Sequence, residues 1–121
     1  MPEYESEGFD PPAPFARAAV AGAGQTIADV RMLLDTGADV SVIPRAIAEA
    51  LGVAVRPSGI LLQTYDGNQT QAVVADVSVE VGPYLFRGTF VVAEADYGIL
   101  GRNILNLLLL TLDGPRLLWS A

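Results

Sequence analysis

The apolar positions change their spacing along the chain, and each change predicts an element. Phe15 to Val20 is an apolar segment, Gly22-Ala23-Gly24 supplies a turn, and Thr26 to Val30 alternates imperfectly into Met32-Leu33-Leu34. That pattern predicts a β-hairpin whose second strand ends on Asp35. A second apolar run, Val40 to Ile43, then leads away, interrupted only by Ser41. A buried strand therefore enters, Asp35-Thr36-Gly37 turns tightly, and another buried strand leaves. Gly37 permits backbone geometry that a side chain would obstruct, and Thr36 offers a hydroxyl that both donates and accepts.

Pro44 marks a helix start. Arg45 to Leu51 supplies good helix formers, and Gly52 fits the position beyond the end. Ile60 to Tyr65, then Asp66-Gly67-Asn68, then Gln69 to Val81 reads as a long hairpin, because Asp-Gly between strand-like runs is a strong turn signal. Val73 to Val81 and Tyr84 to Ala93 form the next pair, turned by Gly82-Pro83. Val77, Val79 and Val81 share one face, with Asp76, Ser78 and Glu80 on the other. Asp96-Tyr97-Gly98 is a turn. Asn103 to Leu110 reads as a short, heavily buried helix or a helix followed by a strand, and Thr111 to Trp119 as a terminal hairpin around Asp113-Gly114-Pro115. The expected class is all-β with one or two short helices.

The 121 residues suit one domain, and a chain of this size buries roughly two-thirds of its unfolded surface. Residues 1–14 are acidic and rich in Pro, and read as a disordered or extended arm, leaving 15–121 as the single domain. The net charge is −7, yet four of the fourteen acids, Glu3, Glu5, Glu7 and Asp10, lie in that arm. A mildly acidic remainder argues against nucleic-acid binding. The acidic start lacks the positive charge of a secretory signal, and the most apolar run, Ile104 to Leu112, is too short to span a bilayer. The expectation is a cytoplasmic protein without membrane attachment.

Cysteine and histidine are both absent. That removes disulfides, thiolate metal sites, most zinc sites, and both Ser-His-Asp and Cys-His catalysis. Among common protease chemistries only carboxylates are left as acid–base groups.

Leu33-Leu34-Asp35-Thr36-Gly37-Ala38-Asp39 resembles the active-site loop of retroviral-type, retropepsin-like aspartic proteases. Ile99-Leu100-Gly101-Arg102-Asn103-Ile104-Leu105 resembles that family's second motif, an apolar pair, Gly, and a short helix opening with Arg-Asn. Two motifs in the family's order, at roughly its separation, are far more specific than either alone. The resemblance implies a retropepsin-like barrel with one lobe per chain, and an aspartic endopeptidase that needs neither cofactor nor metal.

By that resemblance Asp35, Thr36 and Gly37 are the catalytic triplet. Two such carboxylates share one proton, the pattern for which aspartic proteases are the standard example. Because the chain holds one Asp-Thr-Gly, the site implies a homodimer with one Asp35 from each copy and Thr36 bracing the two loops. The hairpin around Asp66-Gly67 corresponds to the flap over the substrate. Ala38, Asp39, Val42, Tyr97 and Ile99 would line a cleft for an extended peptide, with Thr64, Tyr65, Asp66 and Gly67 above it. Asp39 would pair with Arg102, Arg17 would join them, and Gly101 and Asn103 would support the base. The sequence leaves open a catalytically silent module of the same fold that dimerises or binds peptides, and a small β-rich domain with a fortuitous triplet.

Overall fold

The computed structural model describes residues 2–63 and 67–121. Strands β1 (Phe15–Gly22) and β2 (Gln25–Leu34) pair as the expected hairpin. Their two-residue turn places Ala23 at φ 50° and Gly24 at φ 78°, the double positive φ that suits the right-handed twist of the flanking strands. The register of this pair shifts between Ala18 and Val20. There β1 bends and pairs on its other edge, with Ala19 opposite Glu80 and Val20 opposite Val79. A bulge of this kind turns a strand from one neighbour to the next and lets a sheet close.

Strand β3 (Val42–Pro44) leaves the Asp35 turn, helix α1 (Arg45–Leu51) follows, and strands β4 (Arg56–Gln63), β5 (Gln69–Val81) and β6 (Tyr84–Ala93) form a meander. Strand β7 (Gly98–Leu100) then inserts between β2 and β3, parallel to the first and antiparallel to the second. The order β1-β2-β7-β3-β6-β5 returns to β1, giving a closed six-stranded barrel with β4 added outside β5. The expectation of a mainly-β lobe with short helices holds.

The barrel core contains Val20, Met32, Ile43, Leu51, Val79 and Leu100. Helix α1 keeps the predicted bounds: Pro44 is extended at its start, and Gly52 at φ 75° donates its N–H to the Ala48 and Glu49 carbonyls. Burial of Ala48 and Leu51 fixes it against the barrel. Strand β4 starts at Arg56, earlier than the apolar run beginning at Ile60 suggests, because Arg56 is held across the sheet by Asp76. Of the expected hairpin tip, Thr64, Tyr65 and Asp66 lie outside the described residues.

The end of the chain differs from its expected form. Helix α2 spans only Arg102–Leu105, and the following run is not heavily buried: Leu107 is 71% and Leu109 89% exposed. Strands β8 (Thr111–Asp113) and β9 (Leu118–Ser120) make the terminal hairpin. The segment before β1 is extended and hydrogen-bonded rather than free. The Tyr4 amide donates to the Leu117 carbonyl, the Trp119 amide to the Pro2 carbonyl, and Glu5 and Ala13 exchange two backbone bonds. Among the described residues no helix is long and apolar enough to cross a membrane.

Candidate functional site

The Asp35 turn and the turn entering α2 are stitched together. Strand β2 delivers Asp35 beside the end of β7, where its amide donates to the Leu100 carbonyl at 3.0 Å. The turn then closes on itself: the Gly37 amide donates to Asp35 Oδ1 at 2.9 Å, and the Ala38 amide to the Asp35 carbonyl at 3.2 Å. Asp35 is half-buried, while Thr36, Gly37 and Asp39 are exposed.

From the other side, the Arg102 amide donates to the Ala38 carbonyl at 2.8 Å, and its guanidinium Nη1 to the Thr36 carbonyl at 2.7 Å. Gly101 is required here for space. A Cβ would sit inside contact distance of the Val40 backbone and 2.9 Å from the Ala38 carbonyl oxygen, atoms that cannot swing away. Gly98 is equally enclosed, with the Val42 carbonyl 2.8 Å from where its Cβ would lie.

Ser41 completes the stitching. It is 2% exposed, the buried polar side chain of the described core. Its hydroxyl donates to Asn103 Oδ1 at 2.7 Å and accepts the Gly101 amide at 3.0 Å, while its carbonyl accepts the Val91 amide. A buried hydroxyl with both functions satisfied rigidifies what it joins. The sequence showed it only as the single polar interruption in an apolar run.

Other site expectations are redistributed. Arg102 is not paired with Asp39. Seated at the start of α2 under the turn, its side chain meets the Thr36 carbonyl first, and Asp39 points to solvent. Arg17 does not join them, because it lies on β1 and is claimed by the arm: Nη2 meets Glu5 Oε1 at 2.7 Å and Nη1 meets Asp29 at 3.5 Å. Glu5 also binds Arg31 at 3.0 Å, and these two guanidinium groups, Arg17 foremost, hold its carboxyl below the usual range. Val42 and Ile99 face each other across β3 and β7, and both are half-buried.

Burial alternates along this edge. Arg31, Leu33 and Asp35 are half-buried between buried Met32 and Leu34, and Tyr97 and Ile99 likewise flank buried Gly98. The pleat therefore turns Leu33, Ile99 and Tyr97 to the side that carries Asp35, away from the core. Gly67, at φ 82°, lies with Asn68 just before β5.

An acid-bearing turn is thus locked onto a Gly-Arg-Asn turn within a small β-barrel. Residues 16–104 match the family model described as aspartyl protease. The chain belongs to the aspartyl protease family. Among solved structures it is similar to the EIAV protease complexed with the inhibitor HBY-793, with 24% identity over 78% of this chain and 86% of that one, at a TM-score of 0.61. That likeness shows the fold, a single retropepsin-like lobe. No curated protein matches the chain.

Proposed function

We propose that this aspartyl protease family member is an active endopeptidase that works as a homodimer, each copy contributing Asp35. The observation that carries the reading is the Asp35 turn itself. It holds one carboxylate, oriented through Oδ1 by the Gly37 amide and supported by the Arg102 and Ser41 contacts. A turn braced this heavily around a single acid supplies half of a two-carboxylate site. A twofold axis beside Asp35 supplies the rest.

In that arrangement like charges at short distance leave one carboxyl ionised and one protonated. The ionised oxygen takes a proton from water as the water attacks the scissile carbonyl carbon. The protonated partner donates to the carbonyl oxygen, and a proton then passes to the leaving amine as the C–N bond breaks. The Gly37 amide fills one of the acceptor sites of Asp35, and the carboxylate keeps others with which to meet the second acid. The exposed Leu107, Leu109 and Leu112 and the outer edge of β8 follow directly after α2, and they give the second copy an apolar surface to cover. The substrate would lie extended between Ala38, Asp39, Val42, Tyr97 and Ile99 and the hairpin that contains Thr64, Tyr65, Asp66 and Gly67.

The test is a diverse peptide library incubated at several pH values with the wild type and with Asp35→Asn. Cleavage by the wild type alone, with the variant still folded and dimeric, is expected. Equal cleavage by both removes Asp35 from the mechanism. A wild type that binds peptides and cleaves none is a binding module.

A further inference from the structure

The segment before β1 makes a feature that the family match, which starts at residue 16, does not include. Glu5 and Ala13 pair as the base of a closed loop, and the Phe9 amide near its tip donates to the Ser6 carbonyl. Two cations hold the base down. Glu5 takes Arg17 and Arg31, and Arg31 Nη2 also donates to the Glu7 carbonyl at 2.9 Å.

The tip then lands on the Asp35 side of the sheet. The Phe9 ring meets Phe15 at 5.1 Å and Tyr97 at 5.4 Å, and Phe15 meets Tyr97 at 5.5 Å, all three contacts edge-to-face. Phe15 lies opposite Leu33 in the sheet and so shares its face rather than the barrel core, yet it is 1% exposed. The covering groups are Phe9, Tyr97 and the Arg31 guanidinium, which sits 4.1 Å over the Phe15 ring. Phe9 itself is only half-buried.

We propose that Phe9 is a specificity-determining residue of the substrate cleft. The loop from Glu5 to Ala13 lays its ring against Tyr97, so that one wall of the cleft is an aromatic pair rather than a single tyrosine. This rests on the peptide-binding reading of the Asp35 face and names the substrate class it takes: peptides with an aromatic side chain next to the cleaved bond. Such a side chain can meet the ring pair edge-on, as the three rings already meet each other, whereas a branched aliphatic one gains only buried area.

The experiment uses the full chain and two peptides that differ only in Phe or Val beside the cleaved bond. The kcat/KM ratio of Phe over Val peptide is expected to fall about 3- to 10-fold in Phe9→Ala and to return in Phe9→Tyr. Glu5→Gln, which unpins the loop without touching the rings, is expected to move the ratio the same way. A merely structural Phe9 would lower both peptides equally. That result, or an unchanged ratio in a folded Phe9→Ala protein, overturns the proposal.

Binding of the same two peptides to Asp35→Asn, with and without Phe9→Ala, separates this inference from the reading beneath it. A Phe9-dependent binding ratio, together with a wild type that cleaves neither peptide, supports the aromatic wall and ends the protease reading. Cleavage with no Phe9 dependence does the reverse. A chain that neither cleaves nor binds either peptide overturns both.

Discussion

The Ser41 hydroxyl donates to Asn103 Oδ1 at 2.7 Å across 62 positions of sequence, and through that bond the acid-bearing turn and the start of α2 become one rigid piece. Ser41→Ala therefore leaves the buried Gly101 amide without its acceptor. The cost of such an orphaned group is about 1–3 kcal/mol. Asn103→Ala is milder, because Asn103 is exposed and the Ser41–Gly101 bond survives. Urea unfolding of both variants is expected to order them so. An equal or reversed order would mean that the hydroxyl is not the tie between the turns.

Gly101 predicts a steric effect with an internal control. Its φ is −87°, ordinary for any residue, so the objection to a side chain is crowding alone. Gly101→Ala pushes a methyl into the Val40 and Ala38 backbone and is expected to cost toward the upper end of about 1–3 kcal/mol. At Gly88 nothing lies within 4 Å of the added Cβ. Gly88→Ala is expected to leave the melting temperature unchanged or slightly raised. Similar melting temperatures for the two variants would contradict the close approach.

Much of this was legible in the sequence, and the parts that were not share a cause. Hairpins at Ala23-Gly24 and Gly82-Pro83, helix α1 between Pro44 and Gly52, and the two motifs that meet at the site are all encoded within a few residues. Ser41 looked like an interruption because its partners lie 60 and 62 positions away. Glu5 looked like one charge of an acidic arm, since nothing local names Arg17 or Arg31 as its mates. Asp39 and Arg102 were expected to pair, yet the backbone set Arg102 closer to the Thr36 carbonyl. The leucines after α2 read as buried because an apolar run by itself does not distinguish a core position from an exposed one.

Docking of the N-terminal loop carries a pH signature. Arg17 first, and Arg31 with it, lower the folded-state value of Glu5 below the ordinary 4.5. A lowered carboxyl stabilises the docked form above its unfolded value and loses that contribution as pH falls through the folded one. Loosening is therefore expected as the pH falls below the ordinary 4.5 and through the lowered folded value, and not on the alkaline side. Trp119, the single tryptophan, accepts no proton itself but reports the event: its amide donates to Pro2 and its Nε1 to the Phe15 carbonyl. Its fluorescence should shift on acidification in the wild type, while Glu5→Gln should show the shifted spectrum already at neutral pH. Coincident titrations would remove Glu5 from the latch.

Leu109 tests the shared-site reading. At 89% exposure its side chain contributes almost nothing to the folded lobe, so Leu109→Asp is expected to change monomer stability by no more than about 0.5 kcal/mol. Under the shared-site reading that leucine lies in the apolar run a second copy covers, and an unpaired carboxylate buried there costs several kcal/mol. Sedimentation should then show the wild type associating and the variant remaining monomeric at the same concentration. Peptide cleavage should fall in step with the loss of dimer, because Asp35 has no second carboxylate in its own chain's turn. The decisive comparison is activity against dilution. A wild type whose activity per chain stays constant as the dimer dissociates, or a monomeric Leu109→Asp protein at full activity, would show that one lobe suffices, and the twofold site would have to be given up.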